Sequence, residues 1–282
     1  MRIYTNSSAF SVWKNYNKSV DLLGKSMSRL SSGLRIVRPS DDPAGLAISE
    51  KFRSQIRNSA MAAHNIENKI SYIHTADSWL QSMHTILDRM GELAIEAYDG
   101  TKTQADRANL QLEFDQLQEE IGTIVDNRAM YNTAALFQGG GVVVQVGPDA
   151  GQTFSEASID LRSNGSGTTG WRSTFDVAIS GASVGSAMDQ ASTALGVVNA
   201  AIVHLAGVRA TLGAEESRLD HTLEGLRNYE ENLTAAESRV RNVDVAKETA
   251  EFSKQQILVQ AGTAMLAQAN AMPQNVLQLI QG

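Results

Sequence analysis

The chain has 282 residues and a formal net charge of -7, so no overall electrostatic bias draws it toward nucleic acid or an anionic membrane surface. It contains no cysteine, which excludes disulfides, thiolate metal sites and cysteine nucleophiles. Aromatic residues at 6% and only 4 prolines suit long helices better than a sandwich or a barrel.

The opening stretch MRIYTNSSAFSVWKNYNKSV has no apolar segment of signal-peptide length and no small-residue cleavage site. Apolar spacing then becomes the strongest signal. Ala9, Trp13, Tyr16, Val20, Leu23, Met27, Leu30 and Leu34 are separated by alternating gaps of four and three, which predicts a coiled-coil seam on one helix face. In RPSDDPAGLAISEK, Asp41 or Asp42 is placed to cap a helix whose first turn holds Pro43. That capping role accounts for the paired aspartates better than a metal or acid–base site.

The next helix carries two seams. Phe52, Ile56, Ala63, Ile66, Ile70, Ile73, Leu80, Leu87 and Ala94 form one; Tyr72, Ala76, Trp79, Met83, Ile86, Met90, Leu93 and Ala97 form the other. A helix apolar on two faces must touch two neighbours. AYDGT at 97–101 ends it, and a third helix with Leu110, Phe114, Leu117, Ile121 and Ile124 runs to about NRAMYN. From Phe137 to Ser186 the period of 3.6 gives way to β-branched runs and Gly-rich turns, read as two or three short strands in hairpins. QGGG lacks the Lys-Ser/Thr of a phosphate loop and is a turn.

A long helix resumes at Val184. Ala191, Val198, Leu205, Leu212, Leu219, Leu226, Leu233 and Val240 follow at every seventh residue, giving about 85 Å of helix at 1.5 Å per residue. Gly196, Gly207, Gly213 and Gly225 fall inside it, each costing about 1 kcal/mol relative to Ala. Gln255 to Gly282 lacks any Asp, Glu, Lys, Arg or His. Its superposed sevens (Ile257 with Ala264, Leu258 with Met265, Met272 and Leu279, Phe252 with Val259 and Leu266) make it apolar nearly all round. Gln, Asn and Pro273 make it a poor membrane span. One partner helix covers one of those faces, and the others call for copies of the same molecule.

His64, His74, His84, His204 and His221 show no metal-ligand spacing, and no hydrolase or phosphate-binding fingerprint is present. Neither an enzyme nor a nucleic-acid binder is expected, and no cofactor is called for.

The motifs TNSSA, LSSGLRI at 30–36, DDPAGLAIS at 41–49, ELAIEAYDGT at 92–101, FQGG at 137–140 and QVG at 145–147 occur in order. They are followed by AAESRVRNVDVAKETAEFSKQQILVQAGTAMLAQANAMPQNVLQLI, which runs almost to the end. With these the sequence resembles bacterial flagellin over most of its length. The resemblance implies a mainly α fold: a long coiled-coil helical rod with a small β-hairpin region and paired N- and C-terminal helices. It further implies an inner terminal domain of residues 1–40 with 243–282 and a rod domain of 41–138 with 185–242. Residues 139–184 would form a short hairpin and turn region of the rod, with no sizeable outer domain.

Under the same resemblance the chain is a secreted subunit of the flagellar filament, exported without a cleaved signal peptide and polymerising with itself. Trp13, Tyr16, Val20, Leu23, Met27, Leu30, Leu258, Met265, Leu266, Met272 and Leu279 are then inner-tube assembly residues. An export chaperone, cap and hook-associated proteins are the implied partners. Arg89, Leu93 and Glu113 stand where many members engage a Toll-like innate receptor, although Gly91 replaces a second Arg common nearby. Ser163, Ser166, Thr168 and Thr169 in SNGSGTTG are candidate O-glycosylation sites. The competing readings are a hook–filament junction protein and a different secreted coiled-coil structural protein.

Overall fold

The computed structural model describes residues 6–156, 159–161, 179 and 183–281, without the side chains of Val184 and of residues 272–281. The described chain is mainly α. Its helices are α1 (Ser7–Ser32), α2 (Pro43–Tyr98), α3 (Gln104–Thr123), α4 (Val184–Arg241) and α5 (Val245–Gln281). A π-helical turn follows α3 at Ile124–Arg128. Two antiparallel pairs complete the fold: β1 (Met130–Tyr131) with β2 (Ala134–Ala135), and β3 (Val143–Gln145) with β4 (Thr153–Ser155). The chain divides into two compact units, Met1–Ile56 with Glu231–Gly282 and Arg57–Glu230.

The helix boundaries follow from local chemistry. Asn6 caps α1 by accepting from the Ala9 amide at 3.0 Å, and Gly33 ends the helix in the left-handed conformation at φ 71°. The two aspartates before α2 divide the work. Asp42 accepts from the Gly45 amide at 2.8 Å, and Asp41 accepts from the Arg38 amide at 3.0 Å. The Arg38 amide thereby holds the Asp41 carboxyl below its usual range. A side chain at Gly45 would stand 2.4 Å from the Asp42 carboxylate, so the Asp42 cap would have to shift to admit one. Thr103 and Asp106 form a capping box on α3.

In the unit Arg57–Glu230, α2 buries Ala62, Ile66, Lys69, Ile73, Ala76, Leu80, Met83, Leu87, Met90, Ala94 and Ala97. Gaps of four and three alternate along this series, and it draws members from both predicted seams. Tyr72 and Leu93 are buried on its flank. The heptad expected on α4 packs as a set: Ala191, Val198, Leu205, Leu212, Leu219 and Leu226 are buried in the same core. The two helices run antiparallel here, as the ion pairs Glu67–Arg227, Asp77–Arg209 and His74–Glu216 require. Residues Gly185–Arg241 are also long and apolar enough to cross a membrane by length and composition alone. Ala191, Val198, Leu205, Leu212, Leu219 and Leu226 of this segment are buried within the chain itself.

Phe114, Ile121 and Ile124 carry α3 and the π-turn onto this core. Arg107 on α3, 0% exposed, donates from Nε to the Ala97 carbonyl at 3.1 Å and from Nη2 to the Asp99 carbonyl at 2.8 Å. Carbonyls left over at the end of α2 are thus satisfied from the next helix.

The β1–β2 hairpin lies before the segment in which strands were expected. Its turn places Asn132 and Thr133 at φ 47° and 67°, and a ladder of two residues is too short to show an alternating period. The β3–β4 hairpin falls inside the expected segment and is anchored by Phe154, which is 2% exposed.

Candidate assembly surface

In the unit formed by the two chain ends, α1 and α5 pair antiparallel. Asn6 Nδ2 donates to the Ala269 carbonyl at 2.8 Å at one end, and Arg29 faces Glu248 at 3.8 Å at the other. Between them, a side chain added at Gly262 would begin 3.0 Å from the Tyr16 ring. Beyond Gly33 the chain meets the end of α4. The Arg35 amide donates to the Arg241 carbonyl at 2.7 Å and the Val243 amide to the Gly33 carbonyl at 3.0 Å. The two turning points are therefore stitched together, and α5 begins beside the end of α1.

The covered face of α1 consists of Ala9, Val12, Tyr16, Ser19, Leu23, Ser26 and Leu30. On α5 it consists of Glu248, Phe252, Gln255, Val259, Gly262, Leu266 and Ala269. Each set alternates gaps of three and four, as a coiled-coil seam demands. Of the residues singled out from the sequence, Tyr16, Leu23, Leu30 and Leu266 belong to this seam. Trp13, Val20, Met27, Leu258 and Met265 do not. Trp13 is 52% exposed, Met27 58% and Met265 56%. The reason is angular: Val12, Ser19 and Ser26 take the seam positions, which rotates their neighbours Trp13, Val20 and Met27 off the paired face. Met272 and Leu279 lie on α5, but their side chains fall outside the described residues.

A second apolar face is thus left uncovered on both helices. It holds Phe10, Trp13, Val20 and Met27 on α1, with Phe10 and Trp13 rings stacked at 5.9 Å. On α5 it holds Ile257, Leu258 and Met265. Phe10 is absent from the series picked out of the sequence because it breaks the four–three rhythm, and only its exposure reveals it. An unpartnered apolar surface of this kind marks a protein–protein contact.

Gly262 is the closest point of the seam. Replacing it with Leu overpacks the contact with Tyr16, which is expected to weaken the α1–α5 pairing by about 1–3 kcal/mol. The temperature at which polymer dissociates, or the concentration at which it first forms, measures the effect.

The other singled-out residues separate. Arg89 donates from Nε to Glu113 at 2.8 Å and from Nη1 to Glu92 at 2.9 Å, an exposed ion-paired patch. Leu93 is 0% exposed and points into the core, so the i,i+4 spacing does not bring it to the surface beside Arg89. Ser163, Ser166, Thr168 and Thr169 lie outside the described residues.

The N-terminal part of the chain, residues 3–141, matches the model of the bacterial flagellin N-terminal helical region, and residues 195–280 match that of the C-terminal helical region. The chain belongs to the bacterial flagellin family. A flagellin of Halalkalibacterium halodurans is 41% identical over the full length of both chains. A flagellar filament core protein of Brachyspira hyodysenteriae is 38% identical, again over all of both chains. The solved structure of a flagellar hook-associated protein from Vibrio parahaemolyticus shares the fold. It covers 72% of this chain and all of that one, with a TM-score of 0.57 and 16% identity.

Proposed function

We propose that the chain is a structural subunit that assembles with itself into the helical filament of the bacterial flagellum. Membership of the flagellin family, with full-length similarity to a filament core protein, supports this reading. The observation that carries it is the apolar face that α1 and α5 leave uncovered after pairing with each other. Copies stacked along a non-closing contact bury that face on every subunit but the last, as a helical polymer requires. Residues 1–40 with 243–282 form the terminal coiled-coil domain in this reading, and 41–138 with 185–242 the helical rod domain, with 139–184 as its short hairpin and turn region. The chain acts as a building element and not as a catalyst, and it works outside the cell after export without signal cleavage.

Seeding purified protein with fragments of its own polymer at raised salt tests the reading. Long tubes of uniform width in negative stain are the expected result. Chains that remain monomeric while fully helical by circular dichroism point instead to a junction protein.

Secondary partners follow from the same surfaces. Before assembly the uncharged stretch of α5 from Gln255 onward offers apolar residues to an export chaperone, and cap and hook-associated proteins meet the ends of the polymer. Arg89 with Glu113 is the exposed part of the face we assign to a Toll-like receptor. Arg89→Ala is expected to reduce receptor activation by monomer about tenfold, as loss of an interface arginine does. Activation equal to that of the unaltered chain removes this assignment.

A further inference from the structure

The chain holds 9 methionines and no cysteine, so thioethers are the sulfur that an oxidant meets. Their surroundings divide them. Met83 and Met90 are wholly buried in the core of the unit Arg57–Glu230. Among the described residues, Met27, Met61, Met130 and Met265 are exposed. Met61 on α2 and Met130 on β1 belong to the unit Arg57–Glu230, while Met27 on α1 and Met265 on α5 belong to the unit of the two chain ends.

Met27 and Met265 are each more than half open to water. Each flanks the α1–α5 seam without entering it, since Ser26 and Leu266 hold the neighbouring seam positions. Met27 continues the uncovered stripe of Trp13 and Val20 one heptad on, and Met265 follows Leu258 at the same interval. A methionine so placed is apolar only while its sulfur is reduced. Hydrogen peroxide reacts with a thioether directly: a sulfur lone pair attacks one peroxide oxygen, the S–O bond forms as the O–O bond breaks, and the departing oxygen leaves as water with both hydrogens. The sulfur is oxidised by two electrons and the peroxide is reduced to water. The sulfoxide that results is a polar, chiral group where a flexible apolar one stood. In water its oxygen is hydrated. Covered by another protein surface that offers no donor, it carries the penalty of a buried unpaired polar group.

We propose, on the reading that further copies of the chain cover this face, that Met27 and Met265 are oxidation sites through which peroxide arrests growth of the polymer. In the free chain both thioethers stand open to the oxidant. In the polymer the contact that needs them apolar also shields them. The effect is therefore one-sided: peroxide disables chains before they are added and spares those already assembled. Met61 and Met130 take oxygen as well, but neither lies on α1 or α5, so their oxidation leaves that contact unchanged. Methionine sulfoxide reductases specific for each sulfoxide epimer restore the apolar side chains and reverse the block.

Full-length monomer is treated with hydrogen peroxide until peptide mass spectra show one added oxygen on Met27 and on Met265, then seeded with fragments of untreated polymer. The concentration needed for growth is expected to rise about tenfold or more over that of untreated monomer, as burial of two unpaired sulfoxides requires. Met27→Leu with Met265→Leu keeps both positions apolar at nearly the same volume, and this variant is expected to keep most of its growth after peroxide. Met61→Leu with Met130→Leu is expected to give no protection. Equal losses in the unaltered chain and in the Met27→Leu, Met265→Leu variant overturn the proposal, as does treated monomer that grows as readily as untreated. Untreated monomer that forms no polymer removes the assembly reading itself, and the oxidation sites with it.

Discussion

Removal of Ala261–Gly282 is expected to abolish polymerisation while leaving the unit Arg57–Glu230 folded. The deletion takes Gly262, Leu266 and Ala269 out of the α1–α5 seam and Met265 out of the uncovered face. It removes none of the residues that build the core around α2, α3 and α4. Two large apolar side chains lost at about 1.5–3 kcal/mol each raise the concentration needed for assembly by roughly a hundredfold or more. Circular dichroism and sedimentation of the truncated chain separate the two effects. Undiminished filament growth would falsify the assignment of α5 to the assembly contact.

Replacing Lys69 with Met is expected to destabilise the helical core strongly. The carboxylate of Glu156 is then left buried with no cation in contact, a situation that costs about 3–5 kcal/mol. The double replacement Lys69→Met with Glu156→Leu removes both charges and fills the same volume, so it recovers most of that loss. Urea unfolding of the monomer at pH 7 measures both. Equal losses in the single and double variants would show that the ion pair is not the cause.

Much of this architecture is written in apolar spacing. The heptad from Ala191 to Leu226 is legible because one period of seven maps onto one buried stripe of one helix. The start of α2 is legible because Asp42 and Pro43 carry cap chemistry in their residue types. On α2 itself the spacing shows two seams, and the core draws on both. Ile66, Ile73, Leu80 and Leu87 come from one, and Ala76, Met83 and Met90 from the other. Apolar periodicity marks which positions avoid water and does not say which neighbour covers them.

The same limit explains the terminal helices. Trp13, Val20 and Met27 fit the predicted seam as well as Tyr16, Leu23 and Leu30 do, yet the paired face turns through Val12, Ser19 and Ser26. Serines at seam positions are invisible to an apolar count, as are Lys69 in the helical core and Gln255 in α5. Leu93 illustrates the reverse case. A position carried over from the family as a contact residue is, in this chain, wholly occupied by core packing. The β1–β2 hairpin was missed because two-residue strands carry no period at all.

In a polymer of this chain, other copies are expected to cover the second face of α1 and α5. Hydroxyl-radical footprinting of Trp13, Met27 and Met265 in monomer and in polymer tests it most directly. Residues more than half exposed in the single chain are predicted to be protected about tenfold or more in the polymer. Modification of all three at the same rate in both states would show that this face stays open to water in the polymer.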